Sequence, residues 1–431
     1  MLTPDGWIVL SILAGALAAF ASGRLRPEIV AMSVVLALGL SGVTTPAAAF
    51  AGFGDPVVVT IACLLIVSAA LERTGVAALS ARLLLRAVGS REVALIVALM
   101  AVAGVLSGFM NLVGAAAILL PVAIAASRQA GISQSRLLMP LAIAARQGGS
   151  LTLIGKASNL IVSGLLVQAG YAPLSFFSFF PVGIAMLAAS IIFMATLGRR
   201  LLPARMPEGA IPAAGPHQDL LEARRLSAPD ESRPLRTAQV PYALLALGAV
   251  ILSGATGVVP VSLAAVLAVG IVIIGGCVSA AEAPQVIDWP TIIVVGSLLP
   301  LGAALHTTGA AAAVAGAMLP LAGDAPFSVL AAICLATFVV GQFVPAIPTT
   351  ILMAPIALSA ATKLGVNPVP FMITVAAATS VTLLTPISHP VSMMVMVPGG
   401  YRFGDYARVG APLALLLGVT LLAVVAAVWR F

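Results

Sequence analysis

From Trp7 to Trp429 the chain alternates long apolar runs with short polar interruptions, and the runs recur near the ~20 residues that an α-helix needs to cross a bilayer. Aromatic residues, at 5%, are too scarce for the alternating ten-residue strands of a barrel. The pattern predicts an all-α polytopic membrane protein. Its first run, Pro4 to Ser22, follows MLTPDG with no basic residue ahead of it and no small-residue cleavage site that stands out. It therefore reads as a spanning helix, not a removable leader.

Composition agrees with the pattern. Of 431 residues 61% are hydrophobic and 8% charged, with a mean hydropathy of +1.16, which excludes a soluble fold of this size. Cys63, Cys277 and Cys334 lie singly in apolar runs, so neither a disulfide framework nor a metal cluster is expected.

The net charge of +7 changes the picture only through its distribution. Cytoplasmic loops of membrane proteins are rich in Lys and Arg. With the segment after the first helix facing the cytoplasm, all but four of the 21 basic residues fall on that side, Arg82, Arg86, Arg205, Arg224, Arg225 and Arg233 among them. Lys363 and Arg430 fall outside, and Arg146 and Lys156 lie inside the membrane. The basic balance thus reflects topology, and no nucleic-acid partner is expected. Arg91 and Arg128 bracket two apolar stretches yet share a side, which predicts a re-entrant hairpin over 91–128 with its tip near Ser107 to Val113. Asp324 and Lys363 bracket a second, 324–363, built from 327–341 and 349–361 and entering from the opposite face. Counting crossings gives about ten transmembrane helices plus the two re-entrant helical hairpins.

A shift of 234 positions aligns Gly42 with Gly276, Pro56 with Pro290, Thr74-Gly75 with Thr308-Gly309, Pro121 with Pro355, and Gly131 with Gly365. The first copy covers about 24–165 and the second about 258–399, and an odd number of crossings between them makes the repeat inverted. The chain divides into an N-terminal half (1–198), a C-terminal half (240–431) and a polar, proline-rich cytoplasmic linker (199–239) too short for a folded domain.

Candidate chemistry concentrates in GGSLTLIGKASNLI, Gly148 to Ile161, where glycines interrupt what would be one helix from Leu137 to Val167. Unwound backbone at membrane depth survives only in buried or cavity-lining positions, and in inverted-repeat transporters such breaks form the substrate site. The second repeat has its own break in LLTPISHPVS, Leu383 to Ser392, interrupted by Pro386 and Pro390. A one-residue change of offset sets Lys156 opposite His389 and Asn159 opposite Ser392. A charge at the centre of a spanning helix costs about 2.5–3.5 kcal/mol, so Arg146 and Lys156 need compensation.

Every Asp and Glu, Glu72 included, lies at a helix end or in a loop, so an anionic substrate is the expected counter-charge. The competing role for either cation is to rest on backbone carbonyls or to snorkel to the cytoplasmic face. The substrate-site candidates are Lys156, Ser158, Asn159, Asn111, His389 and Ser392, with Arg146, Thr385 and Ser388. His389, of a residue type that ordinarily titrates near neutral pH, is the candidate for proton coupling. His306 at a helix end and His217 in the linker read as solvated. No nucleophile and base pair, metal cluster or phosphate loop appears, and GFGDP, Gly52 to Pro56, is a turn before a helix; an enzyme is not expected.

LERTGVAALSARLL, MPLAIAARQGGSLTLIGKASNLI, APIALSAATKLGVNPVPF and TPISHPVSMMVMVPGGYRFGDYARVG resemble the divalent anion/sodium symporters of the ion transporter superfamily over nearly the whole chain. The resemblance implies a multi-pass cell-membrane carrier (inner membrane in a Gram-negative cell) of sulfate, dicarboxylates or citrate, a homodimer, and elevator-type alternating access. It also implies two hairpin tips rich in Ser, Asn and Thr that hold sodium. Here the tips read Asn111-Leu112-Val113 and Pro345-Ala346-Ile347, and Lys156 stands where the family usually has threonine.

Sodium needs several oxygen ligands, which Leu, Val, Ala and Ile do not supply. No metal site is therefore expected, sodium coupling is doubtful, and Lys156 is expected to serve as a fixed positive charge beside the anion. The regulatory domains that many relatives insert between the halves are missing. The alternatives are a membrane sensor or scaffold that no longer transports, or a passive anion channel.

Overall fold

The computed structural model describes residues 2–75, 89–203, 235–323, 325–386 and 388–430. Most of the linker, together with Arg82, Arg86, His217 and Asp324, lies outside the described residues. In chain order the main helices of the first half are α1 (Pro4–Ser22), α2 (Pro27–Leu40), α3 (Pro56–Thr74), α4 (Glu92–Phe109), α5 (Leu112–Ala130), α6 (Ser135–Gly148), α7 (Ala157–Gln168) and α8 (Phe180–Phe193). Those of the second half are α9 (Val240–Thr256), α10 (Val261–Ile274), α11 (Trp289–Thr307), α12 (Ala310–Ala322), α13 (Pro326–Gly341), α14 (Ala346–Leu364), α15 (Val369–Ala378), α16 (Pro390–Met396) and α17 (Phe403–Val428). Among the described residues nine helices are long and apolar enough to cross a membrane, and the protein is a multi-pass membrane protein.

Local chemistry sets the helix ends. Thr3 and Asp55 accept backbone N–H groups as N-caps of α1 and α3, each followed by proline at the first helical position. The stops are left-handed residues that cost glycine nothing. They recur at the repeat offset: Gly75 and Gly309 have φ 75° and 74°, and Gly131 and Gly365 both have φ 67°. Helices α5 and α14 begin and end 234 positions apart, each with 19 residues and an internal proline.

Helices α4 and α5 fold back on each other through Met110–Asn111, and α13 and α14 through Gln342–Pro345. The first turn is tighter than the expected 107–113, because Asn111 accepts the Val113 N–H through Oδ1 at 2.9 Å and so starts α5 at once. The core lies where α4, α5, α6, α8, α14, α15 and α17 pack together; among the candidate spans α11 and α14 are the most enclosed, and α1, α9 and α17 the least.

At one end of the bundle Arg73 of α3 pairs with Glu282 at 2.6 Å. Arg236 reaches the same carboxylate and donates to the carbonyls of Gly276 and Cys277. The Ser279 N–H, above all, and the two guanidinium groups hold the Glu282 carboxyl down at about 2, well below the usual carboxylate range. This knot fastens the beginning of the second half to the end of α3.

Candidate functional site

Helix α6 ends at Gly148 and α7 starts at Ala157; the chain between them is unwound. The close approach of α4 requires a glycine here: a Cβ on Gly148 would overlap the carbonyl oxygen of Gly104. The Thr152 hydroxyl donates to the Gly108 carbonyl. Asn159 Nδ2 donates to the carbonyls of Gly149 (3.0 Å) and Thr152 (2.7 Å), so this residue shapes the loop of the break, and its Oδ1 is a buried acceptor with no partner among the described residues.

The second break starts earlier than the prolines suggest. Helix α15 ends at Ala378 and α16 begins at Pro390. The unwinding begins at Thr379 because hydroxyl groups compete for the helical carbonyls: Thr379 Oγ1 donates to Ala376 O and Thr382 Oγ1 to Thr379 O. Lys156 and His389 occupy the same place in their elements. Each is the N-cap of the helix after the break, with φ, ψ of −152°, 149° and −157°, 135°.

The two breaks meet through the two cations. Lys156 Nζ, half-buried, donates to the Ala376 carbonyl and to Ser380 Oγ, both at 2.7 Å. Arg146 is 2% exposed, so it does not snorkel. Its Nη2 donates to Thr382 O (2.7 Å) and Thr382 Oγ1 (2.8 Å), and its Nη1 to Ser392 Oγ (3.3 Å). The backbone-carbonyl resting place is therefore where both cations lie.

Ala376 belongs to the last turn of α15, where carbonyls lack helical partners and the helix dipole favours positive charge by about 0.3–1 kcal/mol. No carboxylate among the described residues pairs with either cation. Among the described residues Arg146 Nε has no partner. The two cations share their surroundings with the hydroxyls of Ser380, Thr382 and Ser392, a set of donors whose chemistry suits an anion.

Of the other expected site residues, Ser158 Oγ accepts the Thr350 hydroxyl of α14 at 2.9 Å, which brings the second hairpin to the first break. Asn111 instead faces α3, its N–H donating to Ser68 Oγ at 2.8 Å. Thr385 Oγ1 donates to Gln342 O at 3.4 Å, and Ser388 Oγ to Thr382 O at 2.7 Å, so both brace the second break. Ser392 accepts from Arg146, and its carbonyl takes the Tyr406 hydroxyl at 2.6 Å. His389 Nδ1 accepts the Val391 N–H at 3.3 Å.

Sequence reasoning missed Ser380, Thr382, Gln147 and Thr350. Gln147 Nε2 donates to Ser380 O at 3.1 Å. Ser380 was findable, since it stands 234 positions after Arg146.

A citrate transporter family model matches residues 17–365 and 308–431. The chain belongs to the citrate transporter family. An uncharacterised transporter of Escherichia coli K12, YfbS, is 26% identical over an alignment covering 95% of this chain and 97% of that one. A probable sodium/sulfate cotransporter of Chlamydomonas reinhardtii is 29% identical over 44% of this chain and 22% of its own length. The solved structure of the YdaH transporter of Alcanivorax borkumensis shares the fold, with a TM-score of 0.63 at 16% identity over 89% of this chain and 87% of that one. The family assignment makes this chain a transporter, consistent with the multi-pass architecture.

Proposed function

We propose that the protein is a secondary active carrier of a small anion of the sulfate, dicarboxylate or tricarboxylate class, working by alternating access. In this reading the two hairpins are re-entrant and enter from opposite faces, the repeat is inverted, the linker over 199–239 is cytoplasmic, and the carrier acts as a homodimer. The substrate lies where the breaks meet. The observation that supports it most is the pair Arg146 and Lys156. They join the two halves at the end of α15, have no carboxylate partner among the described residues, and keep donor capacity beyond the carbonyls they hold.

Lys156 supplies as a fixed ammonium the positive charge that a bound sodium ion would otherwise place beside the anion. The first tip supports this reading, since its Asn111 side-chain oxygen is occupied in capping α5. The family and the hydrogen-bonded breaks support carriage over sensing or passive conduction. Uptake of radiolabelled sulfate, succinate and citrate into proteoliposomes, with and without sodium, tests it. Saturable uptake of one anion independent of sodium is expected; uptake only with sodium would overturn the role of Lys156, and conductance without saturation would favour a channel.

A further inference from the structure

Glu72 lies in a helix, not in a loop. It sits in the last turn of α3, half-buried, on the face that receives the first hairpin tip. One helical turn earlier on that face Ser68 Oγ accepts the Asn111 N–H at 2.8 Å. Glu72 Oε1 meets the first turn of α5 so closely that a Cβ on Gly114 would overlap it. No hydrogen bond or ion pair to Glu72 occurs among the described residues, whereas the carboxylates of Glu28, Asp55, Glu92, Glu282, Asp288 and Asp405 all have partners.

Its neighbour Arg73 is committed to Glu282. Among the elements packed against α3, Lys156 heads α7, Arg128 ends α5, His306 ends α11, Tyr242 opens α9 and Arg236 precedes α9, while α10 carries no titratable group. None of these bonds to Glu72.

We propose that Glu72 is a proton-binding group that couples the position of the first hairpin tip to protonation. The inference rests on the transport reading for its purpose, though not for its geometry. With the proton on, the carboxyl is neutral and can stay packed against the backbone of Gly114. With the proton off, an ion without a donor is held against backbone in a low-dielectric contact, and separation of the tip from α3 lets water reach it. The attraction of a carboxylate to the N-terminal end of α5 opposes this but is the weaker effect. The step is Glu72–COO⁻ + H⁺ → Glu72–COOH, with no other bond made or broken. His389 is less suited to the task, since its Nδ1 already accepts the Val391 N–H.

Two measurements on the full-length reconstituted protein test this. Infrared pH titration of wild type against Glu72→Gln should isolate one carboxyl that gains its proton within the pH range where the protein stays folded. A carboxylate ionised throughout that range would overturn the proposal. Uptake of radiolabelled sulfate, succinate and citrate under an inward proton gradient should be accelerated several-fold in wild type. In Glu72→Gln the ratio with and without the gradient should fall to about one, and Glu72→Asp should restore the response. A Glu72→Gln carrier that still responds fully would overturn it. If wild type takes up none of the anions the transport reading fails, while the infrared titration still decides whether Glu72 binds a proton.

Discussion

Replacing Lys156 by methionine should separate its structural role from its proposed one, because the folded protein is expected to lose little while the proposed anion loses its counter-charge. The variant removes two hydrogen bonds of 2.7 Å. Charge-assisted bonds are worth about 1.5–3 kcal/mol each, but the variant also removes the several-kcal/mol cost of holding an ammonium away from water. The acceptor is not stranded, since Thr379 Oγ1 already donates to Ala376 O at 2.7 Å. The net change in stability should stay within about 1–2 kcal/mol.

The anion fares differently. A unit charge ~4 Å away at an effective dielectric near 20 contributes about 4 kcal/mol, so a hundredfold loss of affinity, about 2.7 kcal/mol, is a conservative expectation. At an anion concentration about 100 times the wild-type Kd, the ligand stabilises wild type by about 2.7 kcal/mol and a hundredfold weaker variant by only about 0.4 kcal/mol. Thermal unfolding of purified wild type and Lys156→Met with sulfate, succinate and citrate, in sodium-free buffer, reads both quantities. An equal anion-dependent shift in the two proteins would refute the counter-charge argument. A large loss of stability without anion would show the lysine to be a structural clamp.

Gly148→Ala should cost about 2–4 kcal/mol and sharply reduce folded yield by fluorescence-detected gel filtration, because its methyl group meets the Gly104 carbonyl; Gly418→Ala, with open space around it, should be silent. Tyr401→Phe should destabilise by about 1–3 kcal/mol in thermal unfolding, since the hydroxyl donates to Ser135 O and accepts the Met139 N–H at 2.8 Å at the start of α6. The Glu282 carboxyl is held below its ordinary value, so its contribution is complete above the unfolded-state value and is lost as pH falls through about 4 towards about 2. Because the residue is partly solvated, Glu282→Gln should cost of the order of 1 kcal/mol at neutral pH and remove that part of the acid dependence.

The helices were legible because apolar runs, capped starts and glycine stops all act within a few residues. The first break was legible for the same reason, since Gly148, Gly149 and Gly155 weaken the helix themselves. The second was misplaced because Pro386 and Pro390 are conspicuous, whereas hydroxyl competition at Thr379 and Thr382 is visible only once the carbonyls have positions. The oxygens that hold the cations were largely illegible: Ala376 O and Thr382 O are backbone, and every residue has a carbonyl. Glu72 read as an interfacial residue because Gly75 ends its helix three positions later, and its contact with Gly114 depends on how two helices cross.

The grip of Arg146 and Lys156 on oxygens 220 to 246 residues further along the chain imposes an order on synthesis. At about 5–20 residues per second, both cations are made tens of seconds before the segment that receives them. During that interval the N-terminal half carries two unanswered charges in its unfinished helices, and the insertion machinery must shelter them. The N-terminal half expressed alone should be degraded, and co-expression with a separate C-terminal half should rescue it.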